Sequence, residues 1–298
     1  MTSLHGKVVF ITGGARGIGA EVARRLRNKG AKLVLTDLDR PGLAALAAEL
    51  GDERVLTAVA DVRDLPAMQV AAAKAVERFG GIDVVVANAG IASFGSLLHV
   101  DPEAVKRVLD VNLLGVFHTV RATLPAVIDR RGYLLVVSSL AAYAAVPGFA
   151  PYNASKAGNE ILADALRLEV GRLGVGVGSA HMSWIDTALV RDSKADIPSF
   201  GELIAKLPWP LNQTTTVDRC ADALVKGVEG RQSRIYCPRW VPLFRWLKPV
   251  LPRVTELLVG KTIAELLPRM DAEAGALGRS LSAFNVESLR ETRDSVAE

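Results

Sequence analysis

The sequence predicts an α/β fold, a doubly wound parallel sheet followed by a C-terminal helical or irregular extension. Three observations predict it. Short apolar runs recur along the chain, helix-length segments stand between them, and the alternation stops after Pro238. Strands buried on both faces read as continuous apolar runs, and right-handed crossovers through helices are how parallel strands are joined.

In order, the strand runs are Val8–Ile11, Leu33–Thr36, Val55–Val59, Val84–Ala87, Leu134–Val137, Val175–Ala180 and Ile235–Cys237. The segments between them that read as helices are Ile18–Lys29, Gly42–Leu50, Pro66–Phe79, Pro102–Ile128, Ala154–Arg172 and Val217–Val228. Residues 1–237 therefore form one α/β domain and 238–298 an added segment. The last stretch, from Ala272 on, is polar and is expected to fray.

Composition narrows the function classes. The chain has 298 residues, half of them hydrophobic, and a formal net charge of +4. That excess is local: Arg231 to Thr255 holds Arg231, Arg234, Arg239, Arg245, Lys248 and Arg253 and no acid, and the remainder is slightly acidic. A basic strip without a recognition motif is an ordinary solvated face, so no nucleic-acid partner is expected. Two cysteines, Cys220 and Cys237, exclude a disulfide framework and a four-thiolate zinc site, and no metal is expected. The opening residues lack a secretion-signal pattern, and no uninterrupted apolar run reaches the ~18 residues of a membrane span. A cytoplasmic protein is expected.

The first strand runs into Thr12-Gly13-Gly14-Ala15-Arg16-Gly17-Ile18-Gly19, where a helix begins. Glycines there let the backbone turn tightly and approach a pyrophosphate, whose charge suits a helix N-terminus. Such a loop alone is also an ordinary tight turn. Asp37 closes the second strand, where a ribose-binding carboxylate belongs in a Rossmann-type fold, although a strand-end acid can simply be solvated. Tyr152 and Lys156 share one helical face by their spacing of four.

The spacing Gly13-x3-Gly17-x-Gly19 resembles the cofactor loop of the classical short-chain dehydrogenase/reductase family. Asp61-Val62, Asn88-Ala89-Gly90, Asn112, Ser139, Tyr152 and Lys156 follow in that family's order, from about residue 6 to 237. The resemblance implies a catalytic set of Asn112, Ser139, Tyr152 and Lys156. It implies a dinucleotide held by Gly13, Arg16, Gly17, Ile18, Gly19, Asp37, Asp61, Val62, Asn88, Ala89, Gly90, Tyr152, Lys156, Ile185 and Thr187. Where the family usually has Pro-Gly after the sixth strand, this chain has Met182-Ser183, so the turn there departs from the pattern. His181 reads as a structural histidine rather than an extra acid.

The implied reaction moves a hydride between NAD(H) and a secondary alcohol or ketone. Tyr152 is expected as acid and base, its phenol lowered by the Lys156 ammonium and the positive nicotinamide ring, with Ser139 donating to the substrate oxygen and Asn112 holding a water. Asp37 and Asp39 against the single Arg16 favour NAD over NADP. The loops Ile91–Leu98 and Leu140–Phe149 carry no charge among residues 91–98 and 140–149, which favours a lipophilic steroid-, terpenoid- or fatty-type substrate; Arg191 and Lys194 in a third loop keep a polar one open. Family members are dimers or tetramers, so a homo-oligomer is expected. Alternatives are a non-catalytic NAD-binding sensor and a membrane-peripheral protein acting through its basic aromatic tail.

On a helical wheel, Leu243, Phe244, Trp246, Leu247, Val250 and Leu251 oppose Arg245, Lys248 and Arg253. That stretch, 240–253, suits subunit or self-packing first, then a cover for the substrate pocket. Membrane contact is the less favoured third reading, because Pro249 and Pro252 break the helix.

Overall fold

A computed structural model describes residues 3–281. Seven strands, β1 (Val8–Thr12), β2 (Lys32–Asp37), β3 (Val55–Val59), β4 (Val84–Ala87), β5 (Tyr133–Val137), β6 (Gly176–Met182) and β7 (Arg234–Cys237), form one parallel sheet in the order β3-β2-β1-β4-β5-β6-β7. Although the runs are apolar throughout, a period of two is hidden in them. Val9, Ile11, Leu33 and Leu35 face one side, against helices α1 (Gly17–Asn28) and α9 (Val217–Glu229). Val8, Phe10, Val34, Val85 and Leu134 face the other, against α3 (Leu65–Phe79), α5 (Gly115–Asp129) and α6 (Ala150–Val170).

Local chemistry sets the helix boundaries. Asp39, Asp64 and Asp101 each cap a helix that carries proline in its first turn: α2 (Arg40–Leu50), α3 and α4 (Pro102–Leu109). A cap carboxylate satisfies one otherwise orphaned N–H, and proline there has no N–H to lose. Gly80, at φ +79°, ends α3 in the left-handed conformation.

The segment read as one helix over 102–128 is α4 and α5 joined by a wide π turn, Asp110–Leu114. By length and composition alone, Pro102–Asp129 could cross a membrane. Within the fold, Val116, Val120 and Val127 are buried against the sheet.

The strand order reverses between β1 and β4, and the crevice at a reversal is where ligands bind in sheets of this kind. After β6 the chain forms α7 (Ala188–Asp196) and α8 (Pro198–Lys206), and after β7 it forms α10 (Val241–Leu247) and α11 (Leu251–Leu277). The prolines do separate two helices, but Pro252 lies in the first turn of α11, where it is tolerated.

The expected fraying from Ala272 on is not seen over Ala272–Leu281, and residues 282–298 lie outside the described residues. Ala274 and Leu281 are buried, Ser280 C=O accepts from Phe94 N at 2.9 Å, and Leu281 bridges Ser93. Their polar neighbours have distant partners: Asp271 accepts from Ser96 N and Oγ at 2.7 Å each, Glu273 from Ser199 Oγ at 2.6 Å, and Arg279 pairs with Asp196 at 2.8 Å.

Candidate active site

The end of β1 and the end of β4 are laced together by two side chains. Thr12 Oγ1 accepts from Asn88 N at 3.0 Å and from Ala89 N at 3.1 Å. Asn88 Nδ2 donates back to Thr12 O and Gly13 O, both at 3.0 Å. The packing leaves no room for a side chain at Gly13 or Gly19. A Cβ on Gly19 would lie 2.1 Å from Gly13 O, and Gly13 itself sits at φ +62°. The packing requires glycine at both positions.

A cleft of about 420 Å³ opens from this cradle. Gly13, Arg16, Gly17, Ile18, Asp37, Asp61, Val62, Asn88, Ala89, Gly90, Tyr152, Lys156 and Thr187 all line it, as the sequence led us to expect. Gly19 and Ile185 are not among its lining residues. Gly19 is buried behind the turn, and Ile185 is buried in the core, its carbonyl taken by Thr187 N at 2.7 Å.

Asp37 is organised by three backbone N–H groups, from Ala15 at 3.0 Å, Leu38 at 2.8 Å and Asp39 at 3.2 Å. Arg16 leans on Asp39 at 3.7 Å. Thr36 Oγ1 lines the same cleft and is buried without a hydrogen-bond partner. Arg63, Arg107 and Arg191 also line it, which sequence reasoning missed. Arg63 is paired with Asp61 at 2.6 Å, and only its position two residues after the acid hints at this.

Tyr152 is in the lining of this cleft and also of a second, apolar cavity of about 290 Å³. The Ser139 side chain sits beside the Tyr152 hydroxyl. Ser139 starts a short turn, accepting from Ala141 N at 3.1 Å, and makes only a long contact, 3.4 Å, to Met182 O. Lys156 Nζ donates to Val137 O at 2.9 Å and lies 5.5 Å from the centre of the Tyr152 ring. The chain's own groups alone do not give the expected lowering of the phenol. Burial dominates and pushes the Tyr152 phenol above its ordinary 10.0, with the Ser139 hydrogen bond opposing it. The same burial pushes Lys156 down to about 8.

Asn112 lies in the π turn and is fully buried. Its Oδ1 accepts from Ile91 N at 2.8 Å, its Nδ2 donates to Ile91 O and Ser155 Oγ, and its carbonyl takes Asn159 Nδ2 at 2.8 Å. Both side-chain donors are thus committed to protein, so the side chain ties the loop after β4 to α6.

His181 is structural, as its strand-end position suggested. It is fully buried, its Nε2 lies 3.1 Å from Tyr143 Oη and 2.9 Å from Ser179 Oγ, and its Nδ1 faces Ser139 O at 3.4 Å. Burial lowers it to about 3, so the ring is neutral at pH 7. A neutral ring with two hydroxyls at Nε2 carries its proton on Nδ1 and donates it to the Ser139 carbonyl.

The profile of the short chain dehydrogenase family matches residues 7–198, more than half of the chain. The chain belongs to the short-chain dehydrogenase family. Among its relatives in the family is an uncharacterised NAD-dependent oxidoreductase of Mycobacterium tuberculosis, 36% identical over 75% of this chain and 89% of that one. An 11-beta-hydroxysteroid dehydrogenase (1A) of Arabidopsis thaliana is 30% identical over 85% of this chain and 74% of its own length. A crystal structure of a short chain dehydrogenase from Mycobacterium paratuberculosis bound to NAD superposes with a TM-score of 0.69. It shares 26% identity and covers 78% of this chain and 97% of its own.

For a short-chain dehydrogenase, the apolar cavity is the less legible half of the site. Its floor is Ser139, Tyr152 and Ser183, its walls include Phe149, Trp184 and Phe200, and residues of α10 and α11 line its outer side. Among the described residues, no Asp, Glu, Lys, Arg or His lines it. Arg191 instead lines the dinucleotide cleft and pairs with Asp186 at 3.0 Å, and Lys194 lines neither space.

Proposed function

We propose that this chain interconverts a lipophilic secondary alcohol and its ketone with NAD(H), using Tyr152 as proton donor and acceptor. The observation that carries the reading is the place of Tyr152 in the wall between a glycine-cradled polar cleft and an uncharged apolar cavity. The cleft suits a dinucleotide: the Gly13–Gly19 packing leaves backbone exposed for a pyrophosphate, and Asp37 offers an oriented carboxylate for ribose hydroxyls. Asp37 would repel a 2′-phosphate, and Arg16 is engaged with Asp39, which together favour NAD over NADP. When bound, the dinucleotide supplies the hydride acceptor or donor.

The chain's own residues then handle the proton. With its phenol raised by burial, Tyr152 is protonated at neutral pH and ready to donate to a ketone oxygen. In the reverse direction it must accept a proton, and the Lys156 ammonium, about tenfold favoured over the amine at pH 7, stabilises the phenolate that forms. The Ser139 contact to Met182 O is long, 3.4 Å, so little is lost there when Ser139 donates to the substrate oxygen. Asn112 fixes the loop that faces Lys156.

An uncharged cavity of this size favours a sterol-, terpenoid- or fatty-type substrate over a phosphorylated or carboxylated one. The steroid dehydrogenase relative supports the same class. Ser183 Oγ, buried without a partner in that lining, offers one hydrogen bond to a second polar group on the substrate. Exposed Leu114, Phe117, Ile161 and Leu168, on the π turn, α5 and α6, are our candidates for a homo-oligomer contact. A cytoplasmic location remains our expectation.

The test is a panel of steroid, terpenoid and aliphatic alcohols beside phosphorylated and carboxylated ones, followed by NAD reduction. Tyr152→Phe should lower turnover by at least ~100-fold while NAD binding is kept. Unchanged turnover in that variant, or preference for the charged alcohols, would overturn the reading.

A further inference from the structure

We propose that the corner formed by α10 and α11 docks on an anionic lipid surface and that the apolar cavity opens into it. The docking stands on the surface itself; delivery of a lipid-borne alcohol through the mouth rests on the function proposed above.

The mouth has an apolar rim. Trp209, Leu247, Val254 and Leu258 line the cavity and yet are exposed to solvent, Trp209 by 79% and Leu258 by 67%. Around them, Leu243, Trp246, Val250 and Leu257 are exposed without lining it, Trp246 by 74% and Leu257 by 85%. On α11 the buried stripe is Leu251, Val259, Leu266 and Met270. Val250, Val254, Leu257, Leu258 and Lys261, at i, i+4, i+7, i+8 and i+11, run along a different face, directed at solvent. Soluble surfaces seldom keep so many large apolar side chains together without a partner.

Charge selects the partner. Residues 239–261 carry Arg239, Arg245, Lys248, Arg253 and Lys261 against one acid, Glu256; Lys248 lies 3.8 Å from Glu160 of α6, and the other four leave a cationic excess. Tryptophan and leucine flanked by cations suit the boundary of an anionic bilayer. A second copy of this chain fits less well, because a twofold contact would set each cationic patch against its own image. The two proline-separated helices do not weaken this reading as a single long interfacial helix would require. The docking element is a rim around a mouth, built from α10, α11 and Trp209 on the segment after α8.

The experiment is sedimentation of the full chain with vesicles of phosphatidylcholine alone and with added phosphatidylglycerol, without substrate or dinucleotide. We expect the protein to pellet with the anionic vesicles and to be released by salt. Trp246→Ser/Leu257→Ser should abolish pelleting. Arg239→Gln/Arg253→Gln should lower partition about thirtyfold. Both variants should turn over a short water-soluble alcohol like the parent, and lose more than tenfold only on a vesicle-borne long-chain alcohol. The proposal is overturned if the parent stays in the supernatant with both vesicle types, or if the Trp246/Leu257 variant pellets equally. It is also overturned if that variant instead dissolves a parental dimer seen in sedimentation velocity. Because binding is read without turnover, it stands or falls apart from the enzymatic reading.

Discussion

Lowering the pH from 7 to 5 should loosen the turn that carries Ser139, through His181. The ring is buried and neutral, held near pKa 3 against an ordinary 6.5, so the folded state resists a proton that the unfolded chain accepts. A depressed histidine contributes no cost above its unfolded value and an increasing one as pH falls below it. With the two values 6.5 and about 3, linkage gives a loss of roughly 2 kcal/mol by pH 5, at 1.36 kcal/mol per pK unit. The assay is urea unfolding at both pH values for the parent and for His181→Gln, which can still donate and accept but does not titrate. The variant should be less stable at pH 7 and lack about 2 kcal/mol of the parent's pH dependence. Identical slopes for the two proteins would refute the reasoning.

Two further outcomes follow from the cleft. Gly19→Ala would place a methyl 2.1 Å from Gly13 O, so the loop must move; we expect NAD binding to fall at least tenfold in titration calorimetry and stability to drop by about 1–3 kcal/mol in chemical unfolding. Because Tyr152 is raised by burial, alcohol oxidation should climb with pH between 6 and 8, close to tenfold per unit, while ketone reduction stays nearly flat. A flat oxidation profile would place the proton acceptor elsewhere.

The lining of the cleft was legible where its parts are local. A strand, a glycine loop and a helix start are adjacent in sequence, and Tyr152 and Lys156 meet by helical spacing alone. The apolar runs gave the strands to within a residue or two for the same reason. What sequence reading missed depends on distant partners. Asp271 and Arg279 look like solvated charges until Ser96 and Asp196 arrive from 175 and 83 residues away. The π turn at Asn112 and the raised phenol of Tyr152 likewise depend on surroundings, the first on how α4 and α5 sit against α6, the second on burial. Tail residues that a wheel put on one apolar side are divided by the fold, Phe244 and Leu251 inward, Trp246 and Val250 outward.

The end of α11 and the residues just after it grip three separate places. Asp271 takes the loop after β4, Glu273 the start of α8, and Arg279 the end of α7. All three grips surround the substrate cavity, and the sheet with its dinucleotide cradle supplies none of the gripping residues. Inheritance can therefore act on the two halves separately. Lengthening, shortening or replacing α11 would re-tailor which molecules are admitted while the reaction machinery passes unchanged from ancestor to descendant.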